Sequence, residues 1–410
     1  MAPRASSSSS VIARFFQSIM MALIVGTLAV SLVGCGSVAL QGPRSPPALP
    51  SLPAPVALPS PIADDEVAPQ RATITQAKSR WVAVRWADLP GLADDPLHEA
   101  WNAWIRSCEK PIAPFVALCG DVRRLSIATA ADQRQWLMSS LQPYRVEPLT
   151  LPLQAAPPPA SDGLLTAYYE PVLEASRQPS ASFKVPLYQP PLNLAQKKPW
   201  YTRQEIDTLP AAQAALKGRE IAYLADPVDA LVLQIQGSGR LRVSLPDGSK
   251  VTTRVAYAAT NDQPYKSVGR WLLDQGAIKD ATWPGIKAWT LQNPQRVQEM
   301  LWSNPRTVFF REEPLPDGDA SPGPKGAQGV ALTAGRSIAV DPGSIPYGTP
   351  VWLVSNGPQV SLQKLVLAQD TGSAIVGAVR ADYFVGSGLE AGEIAGRMKQ
   401  PLRLWVLWPK

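Results

Sequence analysis

Between Leu97 and Cys108 apolar side chains recur every three or four positions, at Leu97, Trp101, Trp104, Ile105 and Cys108, the spacing of a helix with one buried stripe. Asp95 can cap that helix and Pro96 can take its first position. Thr202-Arg203-Gln204-Glu205 carries a capping box, and residues 210–216, opened by Pro210 and followed by Gly218, form another short helix. The period then shortens. Residues 230–236, 240–245 and 250–255 read as strands, the last two flanking Pro246-Asp247-Gly248-Ser249, whose Asp-Gly is a hairpin signal. After Lys325 the apolar runs 337–340, 349–354 and 365–368 are short, with Gly or Pro between them, and 402–407 supplies a last strand. That pattern predicts a compact β-barrel.

Composition supports a β-rich protein of two or three domains. The 43 prolines among 410 residues favour loops and short strands, because Pro lacks a backbone donor and interrupts both kinds of ladder. Residues 41–70 hold Pro46, Pro47, Pro50, Pro53, Pro55, Pro59 and Pro61 with no helical or strand period, which reads as a semi-extended tether. Two further Pro-rich stretches, 155–161 and 314–326, bracket a middle segment. The formal charge of +6 includes Arg4 and Arg14 near the N-terminus, and no Lys/Arg run is long enough to track a phosphate backbone, so no nucleic-acid partner is expected.

Residues 1–34 read as an export signal, with Arg4 and Arg14 ahead of the apolar stretch 15–33. The stretch ends in Leu32-Val33-Gly34-Cys35, which resembles a lipoprotein box and makes Cys35 the expected lipid attachment site. An uncleaved membrane helix is the alternative. Gly36 follows the Cys, and the absence of Asp there resembles lipoproteins sorted to the outer membrane, so the expected location is lipid-anchored there and facing the periplasm. After export Cys108 and Cys119 would meet an oxidising compartment. A disulfide and a pair of reduced buried thiols both remain open.

His98 is the single histidine, placed beside the apolar stripe of its helix and read as a surface residue. Ser-His-Asp and Cys-His catalysis and the usual His-bearing zinc sites would all have to run through it, and neither a metal nor a cofactor is expected. Carboxylates are the better candidates. Asp370 lies in Ala368-Gln369-Asp370-Thr371-Gly372-Ser373-Ala374-Ile375, and Asp382 follows in Arg380-Ala381-Asp382-Tyr383-Phe384. Two acids at the ends of short barrel strands suit cleavage of a glycosidic bond, one protonating the leaving oxygen and the other stabilising developing positive charge. Turn carboxylates bonding nearby N–H groups are the alternative. Asp-Thr-Gly-Ser also resembles the aspartic-protease signature, but that chemistry needs a second such element, and Ala339-Val340-Asp341-Pro342-Gly343 lacks the Thr-Gly.

Thr166-Ala167-Tyr168-Tyr169-Glu170-Pro171, Leu233-Gln234-Ile235-Gln236-Gly237-Ser238-Gly239, Val308-Phe309-Phe310-Arg311-Glu312, residues 332–341, Ile345-Pro346-Tyr347-Gly348-Thr349 and the two aspartate segments together resemble the MltA family of membrane-bound lytic murein transglycosylases. The resemblance runs in order from about Arg80 to the C-terminus. It implies a mainly β fold with a few helices: a discontinuous double-psi β-barrel domain from 76–165 and 306–410, with a smaller β-barrel at 166–305 inserted, after a signal peptide at 1–34 and a tether at 35–75. It also implies cleavage of the MurNAc-GlcNAc bond of peptidoglycan to a 1,6-anhydro end, with Asp382 as acid and then base and Asp370 as its neighbour. Substrate contacts are expected from Tyr168, Tyr169, Glu170, Gln236, Ser238, Gly372, Ser373 and Ala374, although Tyr168 and Tyr169 could equally alternate between core and solvent on one strand. The family usually has Gly where Ala167 and Ser373 stand, and the added bulk could narrow the cleft. The expected partners are peptidoglycan glycan strands and outer-membrane lipid through acylated Cys35. A non-catalytic wall-binding barrel is the other reading.

Overall fold

The computed structural model describes residues 71–149, 163–245, 247–315, 322–358 and 360–410. The leader, Cys35 and most of the tether lie outside them. Six strands close a ring in the order Lys399–Pro409, Pro350–Asn356, Ser361–Asp370, Ser337–Val340, Arg380–Ser387 and Gly163–Glu170, which pairs back onto the first half of Lys399–Pro409. Closure leaves no free edge in the ring. The far half of Lys399–Pro409 carries three more strands outward, Leu141–Pro148, Ser79–Ala83 and Ile74–Thr75.

Alternation along these strands explains why they read as continuous apolar runs. Val351, Leu353, Val366 and Ala368 fill one cluster, while Trp352, Val354, Leu365 and Leu367 pack on the other side with Leu97, Trp101 and Trp104. Both faces of the sheet are therefore buried. The helix Leu97–Ser107 is the one its spacing predicts, and a disulfide between Cys108 and Cys119 ties its end to the next helix. Asp95, however, does not cap it. Its carboxylate holds the buried Arg336 at 2.8 and 2.9 Å and accepts from the backbone N–H of Leu365, because a buried guanidinium is a stronger claim on a carboxylate than an exposed helix end.

The chain leaves the ring after Glu170 and builds a second, six-stranded sheet in the order Val308–Pro314, Lys250–Thr260, Ser238–Ser244, Val172–Ser176, Glu220–Leu224 and Val185–Tyr188. The hairpin from 238 to 260 forms as expected. Residues 230–236 do not form a strand: they belong to the helix Pro227–Gln236. Asp226 accepts from the N–H of Val228 at 2.8 Å, Pro227 opens the first turn, and Gly237 closes the last with φ 80°. Leu231 and Leu233 on this helix are both fully buried in different clusters, so its apolar run has neither a helical nor a strand period to read.

Candidate active site

Three neighbouring barrel strands put two aspartates on one row. Asp370, the last residue of Ser361–Asp370, pairs with Ala339, and Ala339 pairs on its other side with Asp382. Two strand spacings set the Cα atoms roughly 10 Å apart, on either side of Ala339. Beyond Asp382 the row continues to Thr166 on Gly163–Glu170.

Successive side chains of a strand point to opposite faces, so Thr166 and Tyr168 share one, and each reaches one acid. The Tyr168 hydroxyl donates to Asp370 Oδ2 at 2.9 Å. The Thr166 hydroxyl donates to Asp382 Oδ1 and itself accepts from Arg380 Nη2 at 2.8 Å. The two carboxylates differ in what is left open. Asp370 is fully engaged, since its Oδ1 also accepts from the backbone N–H groups of Ala327 and Thr371, both at 2.9 Å. Asp382 Oδ2 has no hydrogen bond among the described residues, and its side chain borders a groove of about 720 Å³.

Electrostatics follow from this burial. Each acid keeps some surface toward the groove, yet the protein packed around it withdraws it from bulk water and raises its pKa. Asp370 is pushed up to about 6, chiefly by desolvation, against the pull of its three donors and with a further push from the charge on Asp382. Asp382 is raised by desolvation too, but Thr166 and the Arg380 guanidinium favour its charged form. Burial and the neighbouring Asp370 hold the Tyr168 hydroxyl well above its ordinary range, so it stays a donor.

Opposite the acids the groove is walled by the inserted sheet and by the C-terminal turn of Pro227–Gln236. Gln236 accepts from the backbone N–H of Tyr169 at 3.0 Å, which pins that turn against the barrel strand. Of the residues expected at a site, Tyr168, Gln236, Ser238, Asp370, Gly372, Ser373, Ala374 and Asp382 line this one groove. Tyr169 does not. Its ring lies on the outer helix Leu389–Arg397, where a Cβ on Gly392 would come within 2.8 Å of it.

Glu170 is also absent from the groove, and the reason is charge. Fully buried where the chain crosses between sheets, it accepts from Arg240 Nε at 2.8 Å, Arg254 Nε at 2.5 Å and the Ser387 hydroxyl at 2.7 Å. It therefore joins the inserted sheet to the barrel. Glu170→Gln removes the buried charge shared by Arg240 and Arg254 and should cost about 3–5 kcal/mol of stability, measured as a lowered urea midpoint. An unchanged midpoint would show that Glu170 is not a structural hub. Thr166 and Arg380 were not singled out in the sequence, although the period-two link between Thr166 and Tyr168 was there to read.

Comparison with known proteins places these segments. The MltA specific insert domain matches residues 164–311 and the 3D domain matches residues 336–408. A membrane-bound lytic murein transglycosylase A of Vibrio cholerae is 32% identical over 60% of this chain, and the chain spans 65% of that relative's length. Among solved structures, a lytic transglycosylase of Burkholderia pseudomallei, LtgG, is 41% identical with a TM-score of 0.55, covering 80% of this chain and 95% of that one. The MltA of Neisseria gonorrhoeae in its monoclinic form is 29% identical with a TM-score of 0.66, covering 82% of this chain and 94% of that one.

Proposed function

The chain belongs to the MltA family of lytic murein transglycosylases, and we propose that it cuts the MurNAc-GlcNAc bond of peptidoglycan without consuming water, using Asp382 as acid and then as base. The observation that carries this reading is the open Oδ2 of Asp382, in a groove where every oxygen of Asp370 is already bonded.

Protonated on Oδ2, Asp382 donates to the glycosidic oxygen as the bond from that oxygen to C1 breaks. The C6 hydroxyl of the same sugar then bonds to C1, and the carboxylate takes the hydroxyl proton. Every atom is accounted for: the leaving sugar gains the first proton, Asp382 regains one, and a 1,6-anhydro ring remains. The nucleophile is tethered to its target, so proximity replaces a second nucleophilic group. Asp370 and Tyr168 act as positioning residues that keep a second buried acid beside Asp382, while Thr166 and Arg380 fix the orientation of its Oδ1. Acylation of Cys35 would hold the enzyme at the outer membrane, facing the periplasm.

Digestion of purified sacculi should release muropeptides one water lighter than their hydrolysed counterparts, as read by mass spectrometry. Reducing-end products alone would replace this mechanism with hydrolysis, and binding without soluble product would leave a wall-binding module.

A further inference from the structure

The groove's two acidic residues, Asp370 and Asp382, come from the barrel, and Lys325 lines it from the same side; the inserted domain contributes three cations and no acid, Arg203, Arg306 and Arg311. Arg311 is matched by Glu313 at 2.7 Å. Arg203 and Arg306 have no ion pair among the described residues.

Arg203 is the more telling of the two. It is 9% exposed, and burial lowers its pKa to about 10 against an opposing push from the charge on Asp207. Its Nε donates to the carbonyl of Asn304 at 3.0 Å, and its Nη2 donates to Gln234 Oε1 at 2.8 Å and to the carbonyl of Arg306. All of these acceptors are neutral. Asp207 acts on it only through space. Its Nη1 has no acceptor among the described residues, although the side chain borders the groove. Beside it, Arg306 donates through Nε to the carbonyl of Gln263 at 2.8 Å, and neither of its Nη groups has a partner there. A cation withdrawn from water and held by neutral carbonyls is costly unless an anion completes it. Arg203 bonds the backbone of Arg306, and both side chains line the groove with Nη donors to spare, the kind of donor that the two oxygens of a carboxylate accept.

We infer that the Arg203–Arg306 end of the groove is a carboxylate subsite, which recognises an acidic substituent of the glycan strand while Asp382 acts on a sugar further along. The inference rests on the proposed glycan substrate and deepens it. Two carboxylates on such a strand fit: those of the stem peptides, and the lactyl carboxylate of muramic acid, which is free only where the stem has been removed. Gln234 and Gln236 stand on one helix end, between Arg203 and the barrel strand of Tyr168. Gln234 holds Arg203, and two residues on Gln236 holds Tyr169, the neighbour of Tyr168.

The test measures binding of glycan tetrasaccharides to the full chain carrying Asp382→Asn, with and without Arg306→Gln. Four ligands are compared: strands with their stems, strands after amidase removal of the stems, and each of these with its carboxyls converted to methylamides. Arg306→Gln should weaken binding of at least one carboxylated ligand by about ten- to a hundredfold, the range of a lost charge-assisted hydrogen bond. It should also flatten that ligand's salt dependence and leave the methylamides unchanged. Loss confined to the stemmed ligand assigns the stem, and loss confined to the amidase product assigns the lactyl group. Arg203→Gln, first checked for a native thermal transition, should repeat the pattern. Equal weakening of carboxylated and methylamide ligands, or none in either, overturns the subsite. Failure of the catalytic reading is separate: it would show as absence of anhydro products from the unmodified protein, with carboxylate-dependent binding intact.

Discussion

Asp382→Asn should abolish release of anhydro-muropeptides from sacculi, with a fall of at least about 10²–10⁴-fold, while the protein stays folded. The loss comes from chemistry alone. Asn fills the same volume and can still bond Thr166, but it has no proton to give to the glycosidic oxygen and no charge with which to take one from the C6 hydroxyl. Both half-steps fail together, so added nucleophiles should not rescue the variant. Stability should hold or rise, because the side chain being replaced is an acid whose charged form is already penalised by burial. Product analysis by mass spectrometry and a thermal melt read the two halves of this expectation. A folded Asp382→Asn protein that still makes anhydro ends at the original rate would move the acid role elsewhere, and Asp370 would be the remaining acid in the groove.

The barrel was legible from the sequence because its strands are apolar on both faces and set apart by Gly or Pro, so 337–340 could be read to its ends and 365–368 as the apolar middle of the longer strand Ser361–Asp370. The two acids were legible for a related reason: each stands at or near the end of such a run, where a polar residue in a strand has to face something. What could not be read were contacts made across long stretches of chain. Glu170 sits in a motif with Tyr168, which made a groove position reasonable, but its partners Arg240, Arg254 and Ser387 are brought to it only by the crossing between sheets. Arg203 belongs to a capping-box helix about a hundred residues from Asn304 and Arg306, and nothing in its local sequence separates it from an exposed helix arginine. The helix Pro227–Gln236 was misread because it is buried on more than one side. Burial erased the polar face that would have revealed its period, leaving only Asp226, Pro227 and Gly237 as local signals.

The pair of acids also predicts how the rate depends on pH, and Asp370→Asn separates their contributions. Desolvation raises both carboxyls, Asp370 to about 6 with a smaller push from the charge on Asp382, while Thr166 and Arg380 favour the charged form of Asp382. The last proton of the pair is therefore lost near pH 6, and it is a property of both groups, not of one. Catalysis needs that proton, so kcat/KM should hold below pH 6 and fall about tenfold per pH unit above it. Stability has the same sign. A carboxyl whose folded pKa is raised binds its proton more tightly in the native state, so its contribution is fully present below the ordinary value near 3.8 and is lost as pH rises through about 6. Asp370→Asn removes the neighbour and leaves Asp382 to titrate alone, under Thr166 and Arg380. The alkaline limb of the rate profile should then move to lower pH, with the rate at pH 5 less affected than the rate at pH 7. The same substitution should flatten the loss of thermal stability between pH 5 and pH 7, since the group that deprotonates unfavourably is gone. A limb that stays near 6 in the Asp370→Asn protein would mean that the two carboxylates titrate independently, and the shared-proton account of the site would have to be given up.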